Sequence, residues 1–294
     1  MMPRWIWFAP LLALLSACGT LSRGGGYFED DGPETNPPAD VANIPDAVPK
    51  TEPRSATGNK SYVVYGVTYL PLTDSRGYRE RGIASWYGKK FHSKRTSSGE
   101  PYDMYAMTAA HKTLPLPSYA RVRNLQNGRS VVVRVNDRGP FLHNRLIDLS
   151  YAAAARLGIL GTGTGVVEVE AVSPDEPATQ VAQVKTYPLQ VIAPAVAAEE
   201  LSSSAPATAT SPKLYLQVGA FTQWDNAANL RNRLEREALR PISIQSSQTA
   251  KGNGPEAARV YRVRVGPLTN VEEGDRLTER AAQLGVPDAR IVVE

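Results

Sequence analysis

The C-terminal third of the chain contains an internal repeat, which constrains the fold more than any other feature of the sequence. The run KLYLQVGAF, the helical stretch NAANLRNRLEREAL and PISIQ are echoed by RVYRVRVGPL, VEEGDRLTERAAQLG and ARIVV. Each half predicts a strand, a helix and a second strand. Two such halves form a βαββαβ sandwich with both helices on one face of one sheet, which leaves the other face free to bind a ligand.

Strand alternation sorts the residues of this sheet between its two faces. Gln217 follows Leu216, and Arg262 and Arg264 flank Val263. Because the apolar residues are expected to face the helices, Gln217, Arg262 and Arg264 are predicted to lie on the open face as ligand-binding residues. The alternative is an ordinary solvated sheet face.

Two stretches with few large apolar residues divide the 294-residue chain. Residues 18–60 are rich in Pro and acidic residues, and residues 173–212 are rich in Ala, Pro, Ser and Thr. Such segments bury too little apolar surface to offset their chain entropy, so they predict a disordered tether and a disordered, flexible linker. Two folded units remain, at residues 61–172 and 213–294.

The N-terminus has the layout of a secretory signal peptide over residues 1–17, with Arg4 before an apolar run and small residues at its end. The only cysteine, Cys18, follows LSA and precedes Gly19, which resembles the lipobox of bacterial lipoproteins. Acyl chains on Cys18 would anchor the chain to a membrane; the alternative is an ordinary buried thiol. In lipoproteins an Asp after the cysteine favours the inner membrane, so Gly19 favours the outer membrane, facing the periplasm.

The unit at 61–172 consists mainly of predicted strands. IASWYG, YARVRN, SVVVRVN and GVVEVEAV are short β-branched and aromatic runs bounded by Gly, Asn and Pro. DLSYAAAARLG predicts a helix that begins at Asp148 or Ser150 and ends at Gly158. Many short strands with few helices favour a small barrel or sandwich.

Residues 79–172 carry 14 basic and 7 acidic side chains. This surplus of positive charge favours an anionic polymer as partner. Nucleic acid is not expected, because aromatic and basic residues do not alternate as in a nucleic-acid platform and the chain has an export signal.

Three polar residues of this unit are candidates for chemistry: Asp137 in VRVNDRGPF, Glu100 in TSSGEPYD and His111 in MTAAHKTLP. The chain has three His and one Cys without His-x-x-His or Cys-x-x-Cys spacing, so no metal is expected. It also has no Gly-x-Ser-x-Gly elbow, which disfavours a serine nucleophile. No cofactor is predicted.

Asp137 has two open interpretations. In a regular strand it would share a face with Val135, and both Arg134 and Arg138 would point the other way. Burial among apolar residues would then favour the protonated carboxyl that a general acid needs, whereas a nearby arginine would favour the carboxylate. A bulge before Gly139 would undo this arrangement. From the residues alone, a catalytic acid and a structural ion pair both remain open.

The long run IASWYGKKFHSKRTSSGEPYDMYAMTAAHKTLP, followed by VVVRVNDRGPF, resembles the double-psi β-barrel domain of the rare lipoprotein A family. The C-terminal repeat, with QVGAF and RVRVGPL, resembles a SPOR domain, a peptidoglycan-binding module. The order of lipobox, barrel, linker and SPOR domain matches that family along the chain. The resemblance implies a mainly β double-psi β-barrel domain joined by a disordered linker to an α+β SPOR domain.

The resemblance also implies an activity. Family members are lytic transglycosylases: they cleave the β-1,4 bond between MurNAc and GlcNAc, and the muramyl 6-hydroxyl closes a 1,6-anhydro ring. One carboxyl can protonate the leaving oxygen and then accept the 6-hydroxyl proton. By resemblance Asp137 is the acid/base, with Glu100 and His111 as polar companions and Glu100 able to exchange roles with it. Trp86 and Tyr87 either stack on sugar rings or belong to the core.

SPOR domains of this family bind glycan strands that lack stem peptides and that accumulate at the division septum. The resemblance therefore implies denuded glycan strands and division-site proteins as partners, with a role in septal wall processing and daughter cell separation. Two alternatives stand beside this one. The first is a non-catalytic wall-binding or expansin-like wall-loosening lipoprotein. The second is an inverting hydrolase with Glu100 as its second carboxylate.

Overall fold

The computed structural model of the protein describes residues 31–34, 36–142, 144–174, 212–249 and 258–294. These residues form a closed barrel of six strands and a separate four-stranded sheet that packs against helices. The predicted signal peptide, Cys18 and most of the predicted linker lie outside the described residues. Within the described part of the chain, no helix is long and apolar enough to cross a membrane.

The N-terminal domain begins with a short 3-10 helix, Val41–Asn43, and an exposed hairpin. Its elements are β1 (Tyr62–Val64), β2 (Val67–Tyr69), β3 (Arg79–Tyr87), β4 (Thr108–His111), β5 (Ser118–Asn124), β6 (Ser130–Asp137), β7 (Ile147–Ser150), α1 (Tyr151–Leu157) and β8 (Gly165–Val172). The C-terminal domain consists of β9 (Leu214–Phe221), α2 (Trp224–Arg236), β10 (Ile242–Thr249), β11 (Ala258–Leu268), α3 (Val271–Gln283) and β12 (Arg290–Val293).

The barrel closes in the strand order β3-β7-β4-β6-β5-β8. Strands β3 and β7 run parallel, as do β4 and β6, and the other neighbours are antiparallel. Alternate residues of the strands fill the interior, as expected for a small barrel: Ala120, Val122, Val131, Val133, Val135, Ile147, Leu149, Val167 and Val169. The predicted barrel and its strands β3, β5, β6 and β8 are confirmed. Strands β4 and β7 were not predicted, because four residues are too few to show alternation.

The predicted helix is confirmed as α1. The Ser150 hydroxyl accepts a hydrogen bond from the Ala153 amide at 3.2 Å, and Gly158 ends the helix in the left-handed region, with φ 76°. Ser150 is therefore the helix cap of the two candidates. Asp148 lies two residues before this cap and belongs to β7.

The C-terminal domain has the predicted βαββαβ order, with its strands arranged β10-β11-β9-β12. The apolar side chains of β9 and β11 pack with residues of both helices in one core, which leaves the opposite sheet face without a helix. Contributing residues are Leu214, Leu216, Val218, Val263, Val265, Ala227, Leu234, Val271 and Ala281. This arrangement confirms the α+β prediction.

Residues 31–34 and 36–60, named here the N-terminal strap, lie along the barrel. The Asp31 carboxylate accepts hydrogen bonds from the Gly88 and Lys90 amides at 2.7 and 2.8 Å. Further along, the Ala47 amide donates to the Val132 carbonyl at 3.0 Å. The prediction of a disordered tether over 18–60 is therefore wrong for the described part of the strap.

Charged and polar contacts explain why the strap is ordered although its amino-acid composition predicts disorder. Arg134 forms a salt bridge with Glu52 at 2.8 Å, and Arg156 donates to the Ile44 carbonyl at 2.6 Å. The guanidinium of Arg138 bonds the Gly58 carbonyl at 2.9 and 2.8 Å. The strap is held by polar groups of the basic barrel, and a count of its own apolar residues does not register such partners.

The two domains are in contact. Arg145 of the loop before β7 forms a salt bridge with Asp275 of α3 at 2.7 Å. Asn144 donates to Thr278 at 2.9 Å and accepts from the Ile291 amide, also at 2.9 Å. The contact places the C-terminal domain against the barrel loop that leads into β7.

Candidate functional site

A β-bulge sets the direction of Asp137. Ala109 of β4 lies opposite Val135, and Ala110 lies opposite Asp137, so Asn136 is an extra residue in β6. The insertion moves Asp137 from the interior face of Val135 to the outer face of the barrel. The expectation that Asp137 is buried among the valines is therefore wrong, and the bulge is the physical reason.

Asp137 is held by one oxygen. Its Oδ1 accepts hydrogen bonds from the Ser97 amide at 2.8 Å, the Ser97 hydroxyl at 2.7 Å and the Arg138 amide at 2.7 Å. No described residue donates a hydrogen bond to Oδ2, and the residue is partly exposed. The carboxyl is thus fixed in orientation while one oxygen remains available to a ligand.

The structural ion-pair interpretation of Asp137 is not supported. Arg138 is buried and its guanidinium bonds carbonyl oxygens, including that of His111 at 3.0 Å. Arg134 pairs with Glu52 and Glu100. Among the residues that the structure describes, neither arginine forms a salt bridge with Asp137.

Glu100 is a bound carboxylate. Its oxygens accept from Arg134 at 2.8 and 2.7 Å, from Ser98 at 3.0 Å and from Asn136 at 3.3 Å. Burial alone would raise the pKa of Glu100, but the hydrogen bonds from Arg134, Asn136 and Ser98 outweigh burial and lower it. The bulge residue Asn136 links Glu100 to the end of β6. This network therefore stabilises the backbone next to Asp137. A proton-donor role for Glu100 does not fit these contacts.

His111 points away from the carboxyls. It lies opposite Ile147 in the β4–β7 ladder, on the interior face, and is buried. Its Nδ1 accepts from the Thr113 and Leu114 amides at 3.1 and 2.9 Å, and its Nε2 contacts the Tyr78 hydroxyl at 2.9 Å. Burial lowers the pKa of His111 to about 3. These contacts fit a neutral histidine that fixes the loop after β4; its predicted catalytic role stays a prediction.

A second carboxyl, Asp148, lies on the outer face beside Asp137. In the strand ladders Ser85, Asp148, Ala110 and Asp137 stand side by side across β3, β7, β4 and β6. The Ser85 hydroxyl donates to Asp148 Oδ1. From the sequence, Asp148 was a candidate helix cap. The alternation of Ile147, Asp148 and Leu149 was the signal that could have identified it as a strand residue.

The predicted sugar-stacking aromatics take part in packing. The Tyr87 ring is buried and stacks on Tyr102 with centroids 4.0 Å apart, so it offers no face to a sugar. Trp86 is partly buried and meets Tyr151 edge to face at 5.7 Å. The structure thus places Tyr87 in the core, and the binding role of Trp86 stays a prediction.

The three predicted SPOR residues share one sheet face. Arg264 lies opposite Gln217, and Arg262 lies two residues away on β11. Gln217 and Arg264 are nevertheless buried, because Arg264 bonds Gln245 at 2.6 Å and pairs with Glu294. Arg262 is partly exposed and contacts the Ser247 hydroxyl. Of the three, Arg262 is the side chain best placed to reach a ligand.

Metal binding has no candidate group in the described residues. No cluster of three or more His, Cys, Asp or Glu side chains there has an arrangement that could hold a metal ion.

Comparisons with known proteins agree with this architecture. Residues 79–171 match the protein family described as "Lytic transglycolase", and residues 210–291 match the SPOR domain family. "Endolytic peptidoglycan transglycosylase RlpA" of Pseudomonas aeruginosa (strain UCBPP-PA14) is 43% identical over 84% of this chain and 81% of its own length. The proteins of the same name from Vibrio cholerae and Neisseria meningitidis serogroup B are 47% and 54% identical, over 65% and 45% of this chain and 73% and 56% of their own. The chain belongs to the RlpA family, as its resemblance to rare lipoprotein A predicted.

Proposed function

We propose that the barrel cleaves the MurNAc–GlcNAc bond of peptidoglycan by lytic transglycosylation and leaves 1,6-anhydro-MurNAc ends. The observation that carries the proposal is Asp137, a carboxyl on the outer face with Oδ1 fixed by three donors and Oδ2 free of described partners. The names of the relatives, which are endolytic peptidoglycan transglycosylases, support the substrate and the endolytic mode.

The reaction needs acid and base groups but no water. The glycosidic oxygen takes a proton as its bond to muramyl C1 breaks, and the muramyl 6-hydroxyl oxygen then bonds C1 and releases its proton. An intramolecular nucleophile is already at high effective concentration, so the protein chiefly positions the sugar and moves the protons. Asp137 is the carboxyl we place at the 6-hydroxyl.

We further propose that the SPOR domain recruits the barrel to glycan strands without stem peptides at the division septum. The partly exposed Arg262 and the helix-free sheet face support contact with a long polymer. Linking a binding domain to the barrel raises the local concentration of substrate. The lipidation of Cys18, the outer-membrane location, contacts with division-site proteins and a role in daughter cell separation complete the proposal and rest on the resemblance alone.

Digestion of sacculi tests the activity and its substrate preference. The purified full chain is expected to release more soluble glycan from amidase-treated sacculi than from sacculi that retain stem peptides. Asp137→Asn is expected to lower release by about 10²- to 10⁴-fold, the typical contribution of a general acid or base. Release is measured by chromatography and mass spectrometry.

Asp103→Asn is the matched control, because Asp103 is an exposed acid of the same domain. It is expected to retain activity. If Asp137→Asn keeps its melting temperature and its activity, Asp137 has no catalytic role. If the wild-type chain binds sacculi and releases nothing, the chain is a wall-binding protein.

A further inference from the structure

Asp148 and Asp137 lie on either side of one small residue, Ala110. Both lie opposite Ala110, Asp137 from β6 and Asp148 from β7. Neighbouring strands are about 4.8 Å apart, so two strand spacings place the two Cα atoms about 10 Å apart. Both side chains project from the same outer face, and the residue between them, Ala110, has only a methyl group as its side chain.

The loop after β6 borders the same space. Gly139, at φ 139°, passes close enough that a Cβ built on it would lie 3.8 Å from Ala110 Cβ and 3.9 Å from Asp148 Oδ2. That Cβ would also lie 3.9 Å from the Phe141 ring, which clusters with Tyr62 and Tyr69 at centroid distances of 6.1 and 5.7 Å. Aromatic rings form one wall beside the carboxyls, a common setting for a sugar ring.

The two carboxyls have different surroundings. Asp137 Oδ1 accepts three hydrogen bonds, from the Ser97 amide, the Ser97 hydroxyl and the Arg138 amide. Asp148 accepts a hydrogen bond from Ser85, and burial raises its pKa to about 6 although the side chain is partly exposed. The side chains of Lys112 and Arg145 lower the pKa of Asp148, and the charge of Asp137 raises it.

We propose that Asp148 is the proton donor of the reaction and Asp137 the proton acceptor, an inference that rests on the proposed function. The Asp148 carboxyl gives its proton to the glycosidic oxygen as the bond to muramyl C1 breaks, and GlcNAc leaves with a 4-hydroxyl. The muramyl 6-hydroxyl oxygen bonds C1, and its proton passes to the Asp137 carboxylate. A proton moved from Asp137 to Asp148 through solvent restores the starting state, and no water is consumed.

The surroundings of the two carboxyls differ in a way that fits a divided role. Three donors fix Asp137 Oδ1, and no described residue donates to Oδ2. Burial raises the pKa of Asp148, which favours the protonated carboxyl that a general acid needs near neutral pH.

Activity of Asp148→Asn and Asp137→Asn, measured with amidase-treated sacculi, is the first test. Each variant is expected to lose about 10²- to 10⁴-fold in rate. An Asp148→Asn variant that folds and cleaves within twofold of the wild type overturns the inference. A wild-type chain that releases no anhydro ends overturns the proposed function instead, so the two failures are distinguishable.

A pH profile keeps the inference testable where Asp148→Asn fails to fold. The rate should fall on the alkaline side as Asp148 loses its proton, around pH 6. Lys112→Gln removes a positive charge that lowers the pKa of Asp148, so this limb should move to higher pH. Lys89→Gln, at an exposed lysine, is the control and should leave the limb in place. A limb that Lys112→Gln does not move overturns the inference.

Discussion

At the residue scale, the single extra residue Asn136 determines what Asp137 can do. Without it, Asp137 would continue the alternation of Val133 and Val135 into the barrel interior. With it, Asp137 faces outward, and the Asn136 amide donates to Glu100 at 3.3 Å. Alternation predicts faces only for a regular strand, so the predicted direction of Asp137 was wrong, and its catalytic role stays a prediction. The bulge depends on pairing with β4, which the sequence did not reveal.

His111 provides a prediction at the same scale. Burial holds the pKa of His111 at about 3, below its ordinary value of 6.5. The unfolded chain therefore binds a proton at His111 between pH 6.5 and 3 that the folded chain does not. Its contribution to the free energy of unfolding is complete above pH 6.5 and is lost as the pH falls toward 3. His111→Gln is expected to reduce this loss between pH 6.5 and 4.5, as measured by urea denaturation.

The control for His111→Gln is the same substitution at a less buried histidine. His92 is more exposed, so His92→Gln should leave the pH dependence of stability close to that of the wild type. His111→Gln could instead shift the acidic or alkaline limb of the pH–rate profile without changing stability. That result would show that His111 exchanges protons with the substrate, and it would contradict the structural role.

At the element scale, the N-terminal strap is the feature that composition missed. Long strands such as β6 and β8 were predictable because their alternation spans eight residues. The strap has no such pattern, and its contacts are with residues far away in the sequence, 82 positions in the case of Glu52 and Arg134. Local sequence does not encode such pairings.

Removal of one strap carboxylate tests this explanation. Hydrogen bonds from Arg134 lower the pKa of Glu52 to about 2, and both side chains are largely buried. Glu52→Gln is expected to lower the free energy of unfolding by about 1–3 kcal/mol, the range for a lost hydrogen bond to a charged group. Asp40→Asn, at an exposed strap acid, should change it by less than about 0.5 kcal/mol. Equal effects of the two substitutions would mean that Glu52 does not hold the strap.

At the scale of the whole molecule, the chain combines a barrel that cuts with a domain that binds. The repeat in the sequence predicted the βαββαβ order and the shared face of Gln217, Arg262 and Arg264. It did not predict that Arg264 and Glu294 would pair across this face, because that contact joins β11 to the chain end. Nor did it predict the contact of Arg145 with Asp275, because the two residues are 130 positions apart and no local pattern links them.

Arg262 is where the binding role of the SPOR domain can be tested. Arg262→Ala is expected to weaken binding of the full chain to amidase-treated sacculi several-fold and to leave cleavage of short soluble glycans unchanged. Arg236→Ala, at an exposed arginine that ends α2, is the matched control and should bind as the wild type does. Co-sedimentation measures both. Binding that is equal in the two variants would remove Arg262 from the glycan-contacting face.

In the proposed reaction the muramyl 6-hydroxyl, and not water, attacks C1. Digestion of denuded sacculi by the full chain in heavy-oxygen water measures this directly, because mass spectrometry reports both the end group and any oxygen taken from solvent. Lytic transglycosylation predicts new chain ends that are 1,6-anhydro-MurNAc, one water lighter than reducing ends and free of the heavy isotope. Reducing ends that carry one heavy oxygen would contradict it and would show that Asp137 and Asp148 serve a hydrolase.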